Sequence, residues 1–158
     1  MNMLIRPIKS NEIMLLTDFI YEAIHQPDMS DRIPRTIIQD PSIWIHIDGF
    51  GTKADDHCLV ALVDDLIVGA VWVRCINAFG HIDDSIPEFA ISVYPHYRGK
   101  GIGTRLMQEM MKLLRIKGYS KASLAVQKDN AAVTLYQHVG FEVMGENEQE
   151  YIMTIDLN

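Results

Sequence analysis

The 158-residue sequence predicts an α/β fold: a mixed, mostly antiparallel central sheet with one parallel crossover through a helix, and helices on both faces. Five stretches carry that expectation. "CLVALV" (58–63) and "LIVGAVWVR" (66–74) are β-rich apolar runs separated only by Asp64 and Asp65, so they pair as an antiparallel hairpin, and "EFAISVY" (88–94) continues the meander. "GTRLMQEMMKLLRIKG" then places Leu106, Met110, Leu113 and Leu114 on one helical face, with Gly118 past its end. "KASLAV" (121–126) returns as a strand, and strand, helix, strand within one sheet implies a right-handed parallel crossover.

The other elements fall in order around this centre. "LIRPI" (4–8) reads as a short strand, and "SNEIMLLTDFIYEAIHQ" spaces apolar residues at 13, 16, 19, 20 and 24 as a helix does, with Ser10 or Asn11 as cap. Pro27, Pro34 and Pro41 and the closing "DGFG" break the pattern from Pro27 to Gly51, leaving a short helix near 34–40 in what reads as a variable, ligand-facing lid. Past the crossover, "NAAVTLYQHVG" is a short helix with Asn130 as cap and Gly140 as stop; "FEVMG" and "YIMTIDL" are two closing strands. Neither a repeat nor a linker divides the chain, so residues 1–158 are expected to form a single domain.

Composition narrows the function classes. A formal charge of −7 argues against a nucleic-acid surface, which needs a basic face, and favours a cationic partner. The apolar runs stop far short of a bilayer span and the N-terminus lacks a signal-like apolar region, so a soluble, cytoplasmic protein with no membrane partner is expected. Cys58 and Cys75 lie in apolar runs as buried free thiols of a reducing compartment. The histidines at 25, 46, 57, 81, 96 and 138 show no HExxH and no paired Cys/His spacing, so no metal is expected. An apolar last strand, "YIMTIDL", suggests a homodimer through edge pairing.

The chemistry-bearing stretch is "YPHYRGKGIGTRL" (94–106), at the carboxyl end of a strand and the start of the long helix. Unpaired amides and the positive end of a helix dipole face outward there, glycines let the backbone approach a ligand closely, and Arg98, Lys100 and Arg105 add the charge that a phosphate needs. It is neither a Walker loop, since Gly101 follows Lys100, nor a dinucleotide fingerprint, since Thr104 stands where the third glycine belongs. What remains is RxxGxG, from Arg98 to Gly103.

With that turn, and with Asn130, Ala132, Leu135-Tyr136 and Gly140-Phe141 downstream, the chain resembles the GCN5-related N-acetyltransferase (GNAT) family. The resemblance implies the GNAT fold, acetyl-CoA as cosubstrate, and an amine acceptor. It places the pyrophosphate on the amides of Arg98, Gly99, Lys100, Gly101, Ile102, Gly103 and Thr104, and the pantetheine arm along Ile91, Ser92 and Val93, with Asn130 and Ala132 nearby. Tyr136 matches the tyrosine that many relatives place near the CoA sulfur, where a phenol can protonate the departing thiolate; lining the pocket is the other role open to it. Glu88 stands where relatives place a carboxylate base acting directly or through water; an ammonium anchor is the other role open to it, and His81, Asp83 and Asp84 compete from the preceding loop. Neither Ser92 nor the cysteines carry a nucleophile's motif, which favours direct attack over a covalent enzyme intermediate. Trp44, Phe50 and Trp72 either wall the acceptor pocket or belong to the core. The expected acceptor is a small primary amine; a protein or peptide amine, or a non-catalytic acetyl-CoA sensor, are the alternatives.

Overall fold

One sheet of seven strands runs in the order β1 (Met3–Pro7), β2 (His57–Val63), β3 (Leu66–Arg74), β4 (Glu88–Val93), β5 (Lys121–Gln127), β7 (Glu150–Asp156) and β6 (Glu142–Glu146). The computed structural model describes residues 2–28 and 30–158. β4 and β5 are parallel, joined by α3 (Ile102–Ile116), and the other neighbouring strands are antiparallel. Asp64 and Asp65 turn the β2–β3 hairpin with φ of 49° and 69°, the left-handed pair that a two-residue loop demands and that aspartate tolerates.

Alternation along the hairpin strands divides the interior into two halves. Leu59, Ala61, Val63, Val71 and Val73 enter one cluster, filled from above by Leu106, Met107, Met110 and Leu114 of α3. Val60, Leu62, Ala70 and Trp72 enter the other, closed by Leu16, Phe19 and Ile20 of α1 (Leu16–Ala23). Each fully buried side chain contributes about 1.5–3 kcal/mol, so these two faces hold the sheet between its helices.

Several local expectations change. The first helix begins as a 3-10 turn, Ser10–Leu15, and neither Ser10 nor Asn11 caps it. Glu12 reaches back instead: its carboxylate accepts from the Lys9 amide at 2.8 Å and holds the Arg6 guanidinium by two bonds of 2.8 Å. Trp72 and Phe50 are core residues, and Trp44, in α2 (Pro41–Trp44), lies partly exposed. Cys58 is buried as expected, whereas Cys75, just past β3, is only half-buried. The strand "YIMTIDL" is flanked by β5 and β6, so it is no edge; β1 and β6 are the outer strands, and edge pairing through β7 is ruled out.

A buried arginine secures the segment after α2. Arg74 Nε and Nη2 donate to Asp56 at 2.9 and 3.2 Å, and Nη1 donates to the carbonyls of Ile45 and Asp48 at 3.0 and 2.7 Å. The Trp72 indole N–H donates to the His46 carbonyl at 3.1 Å. Two side chains of β3, Trp72 and Arg74, therefore clamp residues 45–48 against the sheet.

Candidate active site

The site begins where the sheet splits. β4 and β5 pair at Glu88 and Ser123, and no further register pair joins them among the described residues. Past that point the facing edges of the two strands line a cleft instead of each other. Ala90 and Ile91 on one side and Leu124 to Gln127 on the other line that cleft.

Gly80 fits tightly against this split. A Cβ there would lie 2.9 Å from the Leu124 carbonyl carbon and 3.0 Å from the Ala125 nitrogen, so only glycine allows the loop to lie on β5. Its carbonyl accepts from the buried Ser123 hydroxyl at 2.7 Å, and its amide donates to Glu88 Oε1 at 2.8 Å; the Ala78 amide donates to Glu88 Oε2 at 3.1 Å. Ser123→Ala leaves that carbonyl short of a donor in a buried place. It should lower unfolding free energy by about 1–2 kcal/mol, measured by urea titration; an unchanged midpoint would show that the contact contributes nothing.

After β4 the chain makes a 3-10 turn, Pro95–Tyr97, then passes Gly99 and Gly101 at φ of 75° and 82°. Gly101 caps α3, so the amides at the head of this 15-residue helix face the cleft with the positive dipole end behind them. The donor set suits a phosphate group, being backbone amides on a left-handed turn rather than fixed charges. Arg98 has another task. Its Nε donates to the Val93 carbonyl at 2.9 Å and an Nη to the Glu22 carbonyl at 3.2 Å, which ties the end of β4 to the end of α1. The Lys100 ammonium lies over the Tyr97 ring at 5.7 Å, and its residue does not line the cleft.

Two contiguous clefts result. The first, ≈ 530 Å³, is lined by Ile91, Ser92, Val93, Arg98, Gly99, Gly101, Ile102, Gly103, Thr104, Asn130, Ala132 and Tyr136. The second, ≈ 370 Å³, contains Glu88 with Ile43, His46, Phe79 and Glu150. Ile24, His25, Ile91, Asn130 and Tyr136 line both, and so mark the junction. Ser92 presents only backbone, since its hydroxyl donates to the Phe19 carbonyl at 2.6 Å. Asn130 Oδ1 accepts from the Ala132 amide at 2.9 Å at the start of α4 (Ala132–His138), the helix that carries Tyr136.

Electrostatics separate the roles. Burial pushes the Tyr136 phenol up to about 12, so it stays protonated at neutral pH. Burial also raises the Glu88 carboxyl, against the lowering effect of the two amides it accepts from. Cys75 is pushed up to about 11 and Cys58 is raised further, chiefly by burial, which leaves both as inert thiols. His81 pairs with Asp84 at 3.0 Å and Asp83 holds Ser85; none of the three lines either cleft. The aromatic wall comes from Phe79, which the sequence did not single out. Glu22, His25, Gln26 and Arg32 at the end of α1 and beyond were also missed, and they line the first cleft.

A turn of outward amides feeding a split sheet suits a long anionic ligand, with a second cleft beside it. Residues 54–143 match the family model of the acetyltransferase (GNAT) domain, and the chain belongs to the GNAT family. It is 31% identical over 118 residues to a thialysine N-epsilon-acetyltransferase of Mus musculus, covering 66% of each chain. A mycothiol acetyltransferase of Brachybacterium faecium is 34% identical over 95 residues, 60% of this chain and 28% of that protein. The chain thus spans less than two thirds of both relatives. A Thermoplasma acidophilum PaiA N-acetyltransferase, solved in complex with coenzyme A, shares the fold with a TM-score of 0.71, covering 99% of both chains at 20% identity. Among the described residues, no helix is long and apolar enough to cross a membrane and no cluster of potential metal ligands occurs.

Proposed function

We propose that the chain is an acetyl-CoA-dependent N-acetyltransferase acting on the primary amine of a small cationic molecule, by direct attack in a ternary complex. The observation that carries this is the meeting of the two clefts at Ile91, Asn130 and Tyr136. The amides from Arg98 to Thr104 would hold the pyrophosphate, and the stretch of β4 from Ile91 to Val93 the pantetheine arm, which brings the thioester to the junction. Tyr136 then protonates the departing thiolate.

Glu88 and Glu150 give the second cleft its negative charge, and a pocket of ≈ 370 Å³ suits a small acceptor. Glu88 anchors the incoming ammonium; its two amide bonds fix the carboxylate in place. The names of the mouse and bacterial relatives, a thialysine N-epsilon-acetyltransferase and a mycothiol acetyltransferase, support a small-molecule acceptor. A cytoplasmic setting suits the free thiols, and a homodimer would form through β1 or β6.

The test is CoA-thiol release from acetyl-CoA with thialysine, spermidine and a lysine-containing peptide as separate acceptors. Release with thialysine or spermidine well above the peptide is expected. Release with the peptide alone would replace the small acceptor with a protein one, and release with none would leave a binding module.

A further inference from the structure

The acceptor cleft holds one side chain that is built into place with more care than lining a pocket requires. His46 follows α2, in the proline-broken stretch where sequence periodicity gives no element. Its main chain is clamped: the Trp72 indole donates to its carbonyl at 3.1 Å, and the Arg74 guanidinium holds the carbonyls of Ile45 and Asp48 on either side. Its imidazole Nδ1 lies 3.0 Å from the Ile43 carbonyl, which can only accept, so Nδ1 carries the proton. Phe79 stacks on the ring with centroids 6.2 Å apart. Nε2 is left with a lone pair and no protein partner among the described residues, and His46 lines the second cleft together with Glu88.

We infer that His46 Nε2 is the group that takes the proton from the acceptor amine, with Glu88 as its charge anchor. This rests on the amine-acetylating function proposed for the same site. The ammonium held by Glu88 first gives one proton to solvent; the neutral amine then attacks the thioester carbonyl carbon, and the new C–N bond makes its N–H acidic. That proton passes to Nε2. The C–S bond breaks, the sulfur takes the Tyr136 proton, and the imidazolium returns its own to solvent as the tyrosinate is reprotonated. The net change is amide and thiol from amine and thioester, with no covalent enzyme intermediate.

The surroundings suit a base. Burial, then the nearby Arg74 charge, lowers the His46 imidazole below its ordinary range against the Ile43 bond, so the ring is neutral at pH 7. The other ionisable groups sharing the cleft are His25 beyond α1, Glu88 on β4, Tyr136 on α4 and Glu150 on β7. His25 Nε2 lies 3.2 Å from Asp129. Glu88 has both oxygens accepting backbone N–H, which suits it to hold a charge rather than to carry a proton in turn.

The experiment uses thialysine as the amine probe and compares the unaltered chain with His46→Asn, His46→Gln and Glu88→Gln. His46→Asn keeps a donor for the Ile43 carbonyl and removes the Nε2 lone pair; His46→Gln covers the case in which it folds poorly. Both His46 variants should bind acetyl-CoA within about twofold of the unaltered chain by calorimetry. Both should lose about 100-fold in kcat and, from the acid limb of the kcat/KM profile, the part that the imidazole contributes, leaving the amine's own ionisation. Glu88→Gln should instead raise KM for thialysine and keep that limb. In protein labelled at histidine, the Nε2 resonance of His46 should shift when thialysine is added to the coenzyme complex. Unchanged kcat and acid limb in both His46 variants, or a resonance that thialysine does not move, overturns the inference while the unaltered chain stays active. An unaltered chain that binds acetyl-CoA but releases no CoA with thialysine overturns the small-amine function, and the inference with it.

Discussion

Gly101→Asp should weaken acetyl-CoA binding by at least about 100-fold. Two costs combine. Gly101 sits at φ 82°, where a side chain strains the backbone by about 1–2 kcal/mol, less for aspartate than for alanine, and the new carboxylate stands at the head of α3 among the amides assigned to the pyrophosphate. Like charges at such a distance repel by about 1–4 kcal/mol, depending on exposure. Steric crowding within the protein plays no part, because an added Cβ at Gly101 meets nothing within 4 Å. Gly101→Ala therefore isolates the backbone cost and should lose about tenfold or less. Calorimetry on both variants checks this, with thermal unfolding to show that the fold persists; equal affinity in Gly101→Asp would remove the pyrophosphate from this turn.

Tyr136→Phe should lower kcat by about 100-fold or more while leaving acetyl-CoA affinity unchanged, since a general acid acts only as the C–S bond breaks. The phenol must be protonated to serve, and burial has pushed it up to about 12. Activity of the unaltered chain should therefore show no loss between pH 7 and 10 that depends on Tyr136; the loss on its deprotonation lies higher. Full turnover in Tyr136→Phe would assign the thiolate's proton to water and leave Tyr136 as a wall where the clefts meet.

The fold was legible where period and punctuation agree. The hairpin across Asp64-Asp65, the α3 face and the strand at 121–127 all appear close to their expected bounds, since each buries one face and is closed by turn residues. The order of the last strands was not legible. Both "FEVMG" and "YIMTIDL" alternate, and nothing in their letters says that β7 inserts beside β5 and leaves β6 outside. The cap of the first helix was missed because Glu12 reaches backward to Lys9 and Arg6, a contact that a rule placing Ser or Asn at the start does not test.

The site divides in the same way. The phosphate turn is local, so its glycines and the helix after it could be read together. The acceptor cleft is assembled from α2, the 78–80 loop, β4, β5 and β7, and its residues lie far apart in the chain. Glu88 was visible through the resemblance alone. His46 was one histidine among six, and only the clamp from Trp72 and Arg74 distinguishes it.

The central claim is that the turn from Arg98 to Gly103 and the split between β4 and β5 hold acetyl-CoA. Calorimetric titration of the unaltered chain with acetyl-CoA, beside CoA and NAD, tests it most directly. The expected result is saturable binding of acetyl-CoA and CoA at one site per chain, with none for NAD; no heat with acetyl-CoA, or equal binding of NAD, would contradict it.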